Sequence, residues 1–524
     1  MRNPRRWSAL IAAAFLTACS SSPTSETPPA GASGDLGFRP AKDGFPFENY
    51  GEAAGIDNLT AEEMRRMFGD KVCATTGATC ALTPPAAEWM ANANKAMSVG
   101  HCEGMAVLSA LFYAKKAAPA DFGAPAVSGL AIAGNPKLQR EIAYWWTTQV
   151  TAGSSRNMSL TPNELVDKLA QAFKEGADKE TYSLAFFKRD KTGGHAVTPY
   201  AVDLGDGHKA TIKIYDNNYP GKERSIEVDR DANTWRYFAS QNPAEASSEY
   251  SGDATTRSLG FTPSSARLAQ QACAFCGNVS VQTPAQPAPR QLQVSGAANV
   301  LVKDDAGNQT GTANGEPVNT IPGAEVAPLL GDGPSYWDAK RPPAFTLPGN
   351  GALTVTLDGS SPSGATPSDV MLTGAGFVLA VDDIQLDPGQ KDTLTFSADN
   401  TEVGYKTSGS ESPRIVLGVQ LDGADYEFAI KVHGAASGVE VAIKMDLAAG
   451  KLRVSVKGGT YDVEVQRIGD ADSGVFTHKA AGGDADVFFF DYEAWEGNGM
   501  PMKVEVDKGG DGSIDTTESL GDEE

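Results

Sequence analysis

The chain has 524 residues and a formal net charge of −22, because 66 aspartate and glutamate residues outnumber 44 lysine and arginine residues. This length exceeds what one hydrophobic core holds and predicts about three domains. The acidic residues are spread along the chain, which argues against nucleic acid as a partner and against direct adsorption to anionic lipid.

The N-terminal segment has the order of features found in a signal peptide. Arginines precede an apolar run over residues 7–16 that is too short to cross a bilayer. The following Leu16-Thr17-Ala18-Cys19 resembles a bacterial lipobox, in which the signal is cut before the cysteine and the cysteine carries the lipid. The resemblance implies a signal over residues 1–19 and an exported lipoprotein, held at the outer membrane or surface of a Gram-negative bacterium through Cys19 alone. The alternative is an ordinary signal peptide with a chance cysteine.

Residues 20–44 predict a flexible tether, since they are rich in serine, proline, threonine and glycine. The chain beyond them carries helix-start signals followed by apolar residues at steps of three and four. Two of these starts are capping boxes, at Thr60 and at Thr161. The predicted helices cover residues 60–68, 84–97, 102–115, 138–150 and 161–176.

Cys102 stands at the start of one predicted helix. Gly100 and His101 precede it, and apolar residues recur after it from Met105 to Phe112. The free N–H groups and the dipole at a helix N-terminus favour the thiolate form of a cysteine. The position therefore predicts a cysteine nucleophile. The alternative is a small buried apolar side chain, which is a common role of cysteine.

Because the signal predicts export, we expect the six cysteines of the chain to lie in an oxidising compartment. In an oxidising compartment cysteines tend to pair. Cys73 with Cys80 and Cys273 with Cys276 make two short-range pairs, and lipidation accounts for Cys19, which leaves Cys102 free. A redox role for the Cys-x-x-Cys at 273–276 is an alternative, whereas a zinc site is disfavoured by the lack of a second such motif or a nearby histidine.

The next part of the domain changes to the two-residue period of strands. Strands are predicted over residues 182–187, 196–204, 209–215, 225–228 and 235–238. A two-residue turn at Asp206-Gly207 would set His195 opposite Asn218, with Asp216 diagonal to it on the same face, and a three-residue turn would set Asn217 opposite it. Either side chain would orient the imidazole of His195 as a general base. Helices followed by an antiparallel sheet make this part an α+β domain.

The second half of the chain has almost no helical periodicity. A proline-rich stretch at residues 282–290 predicts a second tether. Short alternating strands follow, with glycine, aspartate and serine between them, and this pattern is typical of β-sandwiches. Two sandwich modules are predicted, over residues 282–400 and 401–524.

The order of motifs resembles the papain-like cysteine peptidase superfamily, including its bacteriocin-processing and transglutaminase-like branches. A cysteine heads a helix, Gly-His-Ala-Val begins a strand, and Ile-Tyr-Asp-Asn ends the next strand. The resemblance covers about residues 45–276, within a domain predicted over residues 45–281. It implies that Cys102 is the nucleophile, His195 the base and Asp216 the orienting residue, with Asn217 as the second choice.

One family feature is missing. Papain-like peptidases usually have a glutamine a few residues before the nucleophile, where it helps to form the oxyanion hole, and here Asn94 is the substitute. The resemblance implies hydrolysis of peptide or protein substrates without a cofactor, or amide transfer of the transglutaminase type. The alternative is a catalytically degenerate surface lipoprotein that uses its sandwich modules for adhesion or ligand binding.

The C-terminal end carries an acidic loop that resembles an EF-hand-type calcium site. The ligands of Ca²⁺ would be Asp507, Asp511, Asp515 and Glu518. Gly509 stands where the third position usually has an aspartate or asparagine, and no helix flanks the loop. An acidic turn without metal is therefore the alternative.

Overall fold

The fold is taken from a computed structural model. It describes residues 33–51, 55–75, 77, 79–151, 157–191, 193–239, 249–279, 288–296, 298–330, 341–360, 364–456, 459–469, 473–483 and 485–523. The predicted signal, its lipobox cysteine Cys19, residues 20–32 of the first tether and most of the second tether lie outside the described residues. Residues 33–44 were predicted as tether but are folded, since Gly34 and Asp35 pair with Val202 and Ala201 and Phe38 is buried. None of the helices in the described ranges is long and apolar enough to cross a membrane.

The helices lie in the first half of the chain. Those with an α-helical hydrogen-bond pattern are α1 (Pro40–Asp43), α2 (Ala61–Phe68), α3 (Pro84–Ala96), α4 (Cys102–Tyr113), α5 (Pro136–Thr147), α6 (Pro162–Glu175) and α7 (Ser265–Leu268). Short 3-10 helices cover Asp70–Val72, Met97–Val99, Pro119–Phe122, Val127–Gly129 and Thr148–Val150. The capping boxes predicted at Thr60 and Thr161 are confirmed, because each threonine and the glutamate three residues later bond each other's backbone N–H.

An antiparallel sheet completes this first domain and confirms its α+β class. Its strands are β1 (Gly34–Asp35), β2 (Tyr182–Phe186), β3 (His195–Asp203), β4 (Lys209–Tyr215), β5 (Glu223–Asp229), β6 (Thr234–Phe238), β7 (Glu249–Asp253) and β8 (Leu259–Pro263). The order is β7-β6-β5-β4-β3-β2-β8, and β1 pairs with β3. Helix α4 packs on β2 and β3, which brings the start of α4 to the start of β3.

Gly104 allows α5 to pack closely against α4. A Cβ atom added at Gly104 would lie 2.0 Å from the carbonyl oxygen of Ile142. We expect Gly104→Ala to push the two helices apart and to lower the free energy of unfolding by about 1–3 kcal/mol, measured by urea denaturation. Gly364→Ala is the matched control, because an added Cβ there meets no atom within 4 Å. Equal unfolding midpoints for the two variants would contradict the prediction.

The second half of the chain is a two-sheet β-sandwich. Its strands are β9 (Arg290–Val294), β10 (Asn299–Asp304), β11 (Gln309–Ala313), β12 (Glu316–Asn319), β13 (Glu325–Ala327), β14 (Ala344–Leu347), β15 (Leu353–Asp358), β16 (Thr366–Gly374), β17 (Phe377–Leu386), β18 (Lys391–Phe396), β19 (Glu402–Lys406), β20 (Arg414–Val419), β21 (Asp425–His433), β22 (Glu440–Asp446), β23 (Lys451–Val456), β24 (Thr460–Ile468), β25 (Gly474–Ala481), β26 (Val487–Asp491), β27 (Met502–Asp507) and β28 (Thr516–Leu520). One sheet has the order β12-β11-β10-β15-β18-β19-β22-β23-β26-β27-β28, and the other β13-β14-β9-β16-β17-β20-β21-β24-β25.

The boundary predicted near residue 400 does not separate two modules. Strands β18 and β19 lie on either side of it and pair along the same sheet, as do β17 and β20 in the other sheet. One buried apolar cluster runs from Leu292 to Val506 between the sheets. Because hairpins alternate between the two sheets along the chain, each sheet grows continuously, and no internal break divides the core.

The sandwich packs against the helices of the first domain. On β16, Val370 and Leu372 face the core between the sheets, whereas Met371 faces the helical core that contains Trp89 and Phe275. This sheet therefore buries apolar side chains on both faces, which explains the unbroken apolar runs in its strands. The first domain and the sandwich meet through an apolar interface.

Candidate active site

Cys102 is the first residue of α4 and is fully buried. The preceding backbone is held in place, because the N–H of His101 donates to Asn49 Oδ1 at 2.7 Å. Backbone N–H groups in the first turn of a helix have no partner within the helix, so they can bind an anionic group. Cys102 is the free thiol among the described cysteines.

His195 lies within hydrogen-bonding reach of both Cys102 and Asp216. Its Nε2 is 2.8 Å from Asp216 Oδ1, and its side chain is also hydrogen-bonded to the thiol of Cys102. The ring nitrogen left for the thiol is therefore Nδ1. All three side chains have no exposed surface.

Close to His195, strands β3 and β4 pair in the predicted register. The turn that joins them is longer than the predicted two residues, since β3 ends at Asp203 and β4 begins at Lys209. A bulge between Pro199 and Ala201 takes up the extra residue, so that Thr198 lies opposite Tyr215 as the two-residue turn would have required. Pro199 has no N–H for the ladder, and prolines inside sheets occur at such bulges.

Asp216 accepts three hydrogen bonds. Besides His195, the N–H of Asn218 donates to Oδ1 at 2.9 Å, and the hydroxyl of Tyr237 donates to Oδ2. Burial opposes ionisation of this carboxyl, but the attraction of His195 and the hydrogen bonds outweigh it and hold the pKa of Asp216 below its ordinary value. Asp216 is therefore a carboxylate that faces the imidazole.

The charges in the closed site follow from burial and from the neighbouring groups. Burial would lower the pKa of His195, yet the charge of Asp216, together with the hydrogen bonds to Asp216 and Cys102, raises it to about 10, so the ring is an imidazolium at neutral pH. Burial raises the pKa of the Cys102 thiol, and this effect outweighs the opposing attraction of His195. At neutral pH the closed site thus holds a protonated thiol beside an ion pair of imidazolium and carboxylate.

Asn217 joins helix α4, which begins at Cys102, to strand β3, which begins at His195. Its Nδ2 donates to the carbonyl oxygens of Cys102 and Ala196, both at 3.0 Å. Asp216, rather than Asn217, is thus the residue that faces the imidazole. The amide of Asn94 lies elsewhere, because its two polar atoms pair with the backbone of Leu59 at 2.9 and 3.0 Å.

A buried ion pair is formed by Glu103, the residue that follows Cys102. Arg267 Nη2 donates to Glu103 Oε1 and, at 3.1 Å, to Ser183 Oγ. Arg267 is 1% exposed and Glu103 is 0% exposed. Arg267 Nη1 also donates to Thr148 Oγ1. The pair joins α4, β2 and α7, which are the elements behind Cys102.

His101 is not a second base. Nδ1 of His101 lies 2.7 Å from the carbonyl oxygen of Tyr50, Nε2 lies 2.8 Å from the side-chain amide of Asn58, and the ring stacks on that of Tyr50. Burial lowers the pKa of His101 to about 4, so the ring is neutral and has one N–H, which Nδ1 donates to Tyr50, while Nε2 accepts from the amide NH2 of Asn58. The role of His101 is structural.

The predicted disulfides are confirmed, whereas the predicted calcium ligands are not brought together. Bonds join Cys73 to Cys80 and Cys273 to Cys276. In the C-terminal loop the carboxylates accept backbone N–H groups instead, since Asp507 bonds the N–H groups of residues 511 and 512 and Asp515 bonds that of residue 508. Glu518 lies on β28 opposite Val504. Across the described part of the chain, no group of three or more histidine, cysteine, aspartate or glutamate residues is placed to hold a metal ion.

Several residues of the site carry no sequence signal. Tyr237 reaches Asp216 from β6, two strands away in the sheet, and Arg267 comes from a short helix far along the chain.

Comparison with known proteins gives no further guide: no family model matches the chain, and no curated protein or solved structure is significantly similar to it. The site is therefore interpreted from its own geometry.

Proposed function

We propose that this chain is a papain-like thiol hydrolase that cleaves amide bonds with Cys102, His195 and Asp216. The observation that carries the proposal is the continuous chain of hydrogen bonds from the thiol through the imidazole to the carboxylate. A nucleophile, a base and an orienting group within this reach are what nucleophilic catalysis on acyl groups requires. Their position at a helix N-terminus adds support.

The proposed reaction begins when the site opens to water. The thiol loses its proton to solvent, and the thiolate is stabilised by the imidazolium of His195. Sγ of Cys102 attacks the carbonyl carbon, and Nδ1 of His195 gives its proton to the leaving nitrogen as the C–N bond breaks. A thioester remains on Cys102. Neutral His195 then takes a proton from water, whose oxygen attacks the thioester and breaks the C–S bond, which restores the thiolate and the imidazolium.

The start of α4 would stabilise the oxyanion. The backbone N–H of Cys102 is the donor nearest to a carbonyl under attack by its own Sγ, and the dipole of the helix favours negative charge there. Donors of this kind replace the side-chain amide that the family resemblance assigned to Asn94, whose polar atoms are bonded to Leu59.

We further propose that the protein works outside the cytosol, as the lipobox resemblance implies. Two disulfides in one chain support an oxidising compartment. The anchoring cysteine itself lies outside the described residues.

Alkylation of Cys102 tests the thiolate–imidazolium pair. The soluble chain that begins at residue 20, with its disulfides intact, is treated with iodoacetamide at pH 6.5 and pH 9.5, and the adduct is located by mass spectrometry. We expect His195→Ala to slow alkylation at pH 6.5 by about tenfold or more, because an opposite charge at this range shifts a pKa by one unit or more. At pH 9.5 the difference should shrink, since the thiol of the opened, solvated site ionises there without the imidazolium.

His208→Ala is the matched control. His208 is paired with Asp231 in an exposed turn, with side chains 69% and 70% exposed, and its removal should leave both rates unchanged. Equal rates at pH 6.5 for the His195→Ala variant and the wild-type chain would contradict the hydrolase. The domain would then be interpreted as a degenerate fold that binds a ligand.

A further inference from the structure

A segment of the sandwich closes the site. Strand β13 ends at Ala327, and the chain then continues as Pro328, Leu329 and Leu330, here called the strap. Leu330 has no exposed surface. It belongs to the same buried apolar cluster as four small or thiol side chains and one aromatic ring, namely Cys102, Ala106, Ala185, Ala196 and Phe187. The side chain of Leu330 thus packs in the small apolar cluster that contains Cys102.

The strap is held by its backbone in the way that an added strand would be. The backbone N–H of Leu330 donates to Gln149 Oε1 at 2.7 Å, and Gln149 Nε2 donates to the backbone carbonyl oxygen of Leu330 at 3.0 Å. These are the two bonds that one residue of a neighbouring antiparallel strand would make. They depend on an extended backbone and not on the identity of the side chain, so they suit a bound peptide.

Gly194 gives the backbone of the strap room beside the histidine. A Cβ atom added at Gly194 would lie 2.4 Å from the carbonyl oxygen of Leu329. Gly194 directly precedes His195, so the backbone of the strap at Leu329 lies against the backbone of the chain at the start of β3. Beyond this point a groove of about 590 Å³ follows the seam between the two domains, lined by Leu329, Arg341 and residues of the Met97–Val99 turn.

The return of the hairpin is also attached to the nucleophile domain. Arg341 Nη2 donates to the carbonyl oxygen of Ala96 at 2.9 Å, and the chain then re-enters the sandwich at β14, which pairs with β13. Contacts with the nucleophile domain are therefore made on both sides of the hairpin loop, by Leu330 and by Arg341.

We infer that the strap occupies the cleft as a substrate would, so that the resting protein is self-inhibited and its substrate class is an extended peptide with a leucine-like side chain. The substrate class in this inference rests on the proposed function. The inferred closure of the site by the strap does not depend on it. Gln149 is a residue that positions the substrate, since it binds the peptide backbone next to the pocket. The small side chains of Ala106, Ala185 and Ala196 leave the space that a branched aliphatic group fills.

The strap also explains why the thiol is protonated at rest. Its apolar side chain excludes water from Cys102, and exclusion of water disfavours the thiolate. Departure of the strap would admit water and remove that penalty while the imidazolium stays in place. Closure thus blocks substrate and suppresses the nucleophile together.

Leu330→Asp tests the strap, because a carboxylate in the apolar pocket is strongly disfavoured. We expect alkylation of Cys102 by iodoacetamide at pH 7.5 to become about tenfold faster or more, as the open fraction rises. Val326→Asp makes the same chemical change on β13 at a side chain that is 38% exposed, and it should leave the rate unchanged. An unchanged rate in a folded Leu330→Asp variant would overturn the inference.

A second variant and a peptide test the strap in ways that do not rely on the Leu330→Asp substitution alone. Gln149→Ala removes the two backbone bonds without changing the pocket and should also accelerate alkylation. The peptide Glu-Val-Ala-Pro-Leu-Leu, which copies residues 325–330, should slow alkylation of the Leu330→Asp variant, whereas the same peptide ending in aspartate should not. Equal effects of the two peptides would reject the proposed substrate class.

The same series separates the two proposals. If Leu330→Asp accelerates alkylation but His195→Ala in that background changes nothing at pH 6.5, the strap stands and the hydrolase fails. If His195→Ala slows alkylation while Leu330→Asp does not accelerate it, the hydrolase stands and the strap fails.

Discussion

Replacing Asp216 by asparagine is expected to remove the charge of His195 at neutral pH. In the wild-type chain the pKa of His195 is about 10, so the ring stays protonated below that pH. Without the carboxylate, burial dominates and should bring the pKa below the ordinary value of about 6.5. The ring would then be neutral at pH 7.5, and alkylation of Cys102 at pH 6.5 should slow by about tenfold or more.

The protonation change can be measured directly. Histidine ring signals in NMR spectra of a chain with labelled histidines report charge, and the chain has five histidines to assign. His195 should show no titration between pH 6 and 8 in the wild-type chain. In the Asp216→Asn variant its signals should be those of a neutral imidazole at pH 7.5.

Asn217→Ala is the matched control for Asp216→Asn. It removes the neighbouring side chain, which bonds the carbonyl oxygens of Cys102 and Ala196. Loss of these bonds should lower the free energy of unfolding by about 1–3 kcal/mol, while His195 stays protonated at pH 7.5. A neutral His195 in this variant, or a charged one in Asp216→Asn, would show that Asp216 is not the orienting residue.

The largest loss of stability is expected for Arg267→Met. This change leaves Glu103 as an unpaired carboxylate with 0% exposure. Breaking one partner of a buried ion pair costs about 3–5 kcal/mol. The free energy of unfolding, from urea denaturation at pH 7.5, should fall by that amount.

Two further variants show whether burial causes this loss. Arg236→Met breaks an exposed pair with Glu227, in which the side chains are 56% and 57% exposed, and it should cost about 0–1 kcal/mol. The double variant Glu103→Leu with Arg267→Met removes both charges and should recover much of the lost stability. A single Arg267→Met variant as stable as Arg236→Met would contradict the assignment.

Much of the local structure was predictable because its signals lie in neighbouring residues. The capping boxes at Thr60 and Thr161, the helix that begins at Cys102, and the two short-range disulfides each depend on side chains within a few positions of one another. The proximity of His195 and Asp216 also followed from a single hairpin. The turn between the strands was predicted too short, and a bulge at Pro199 restored the register.

The amino-acid sequence by itself determined the α+β domain, the sandwich strands, the free thiol and the residues of the hydrogen-bonded chain, because all of these follow from local periodicity or from one strand pairing. Only the tertiary structure decided that Tyr237 bonds Asp216, that Arg267 pairs with Glu103, that the sandwich has one core, and that Leu330 joins the apolar cluster of Cys102. These contacts join segments far apart in the chain. Which residues meet across such distances depends on how whole sheets and helices pack, and no short pattern encodes it.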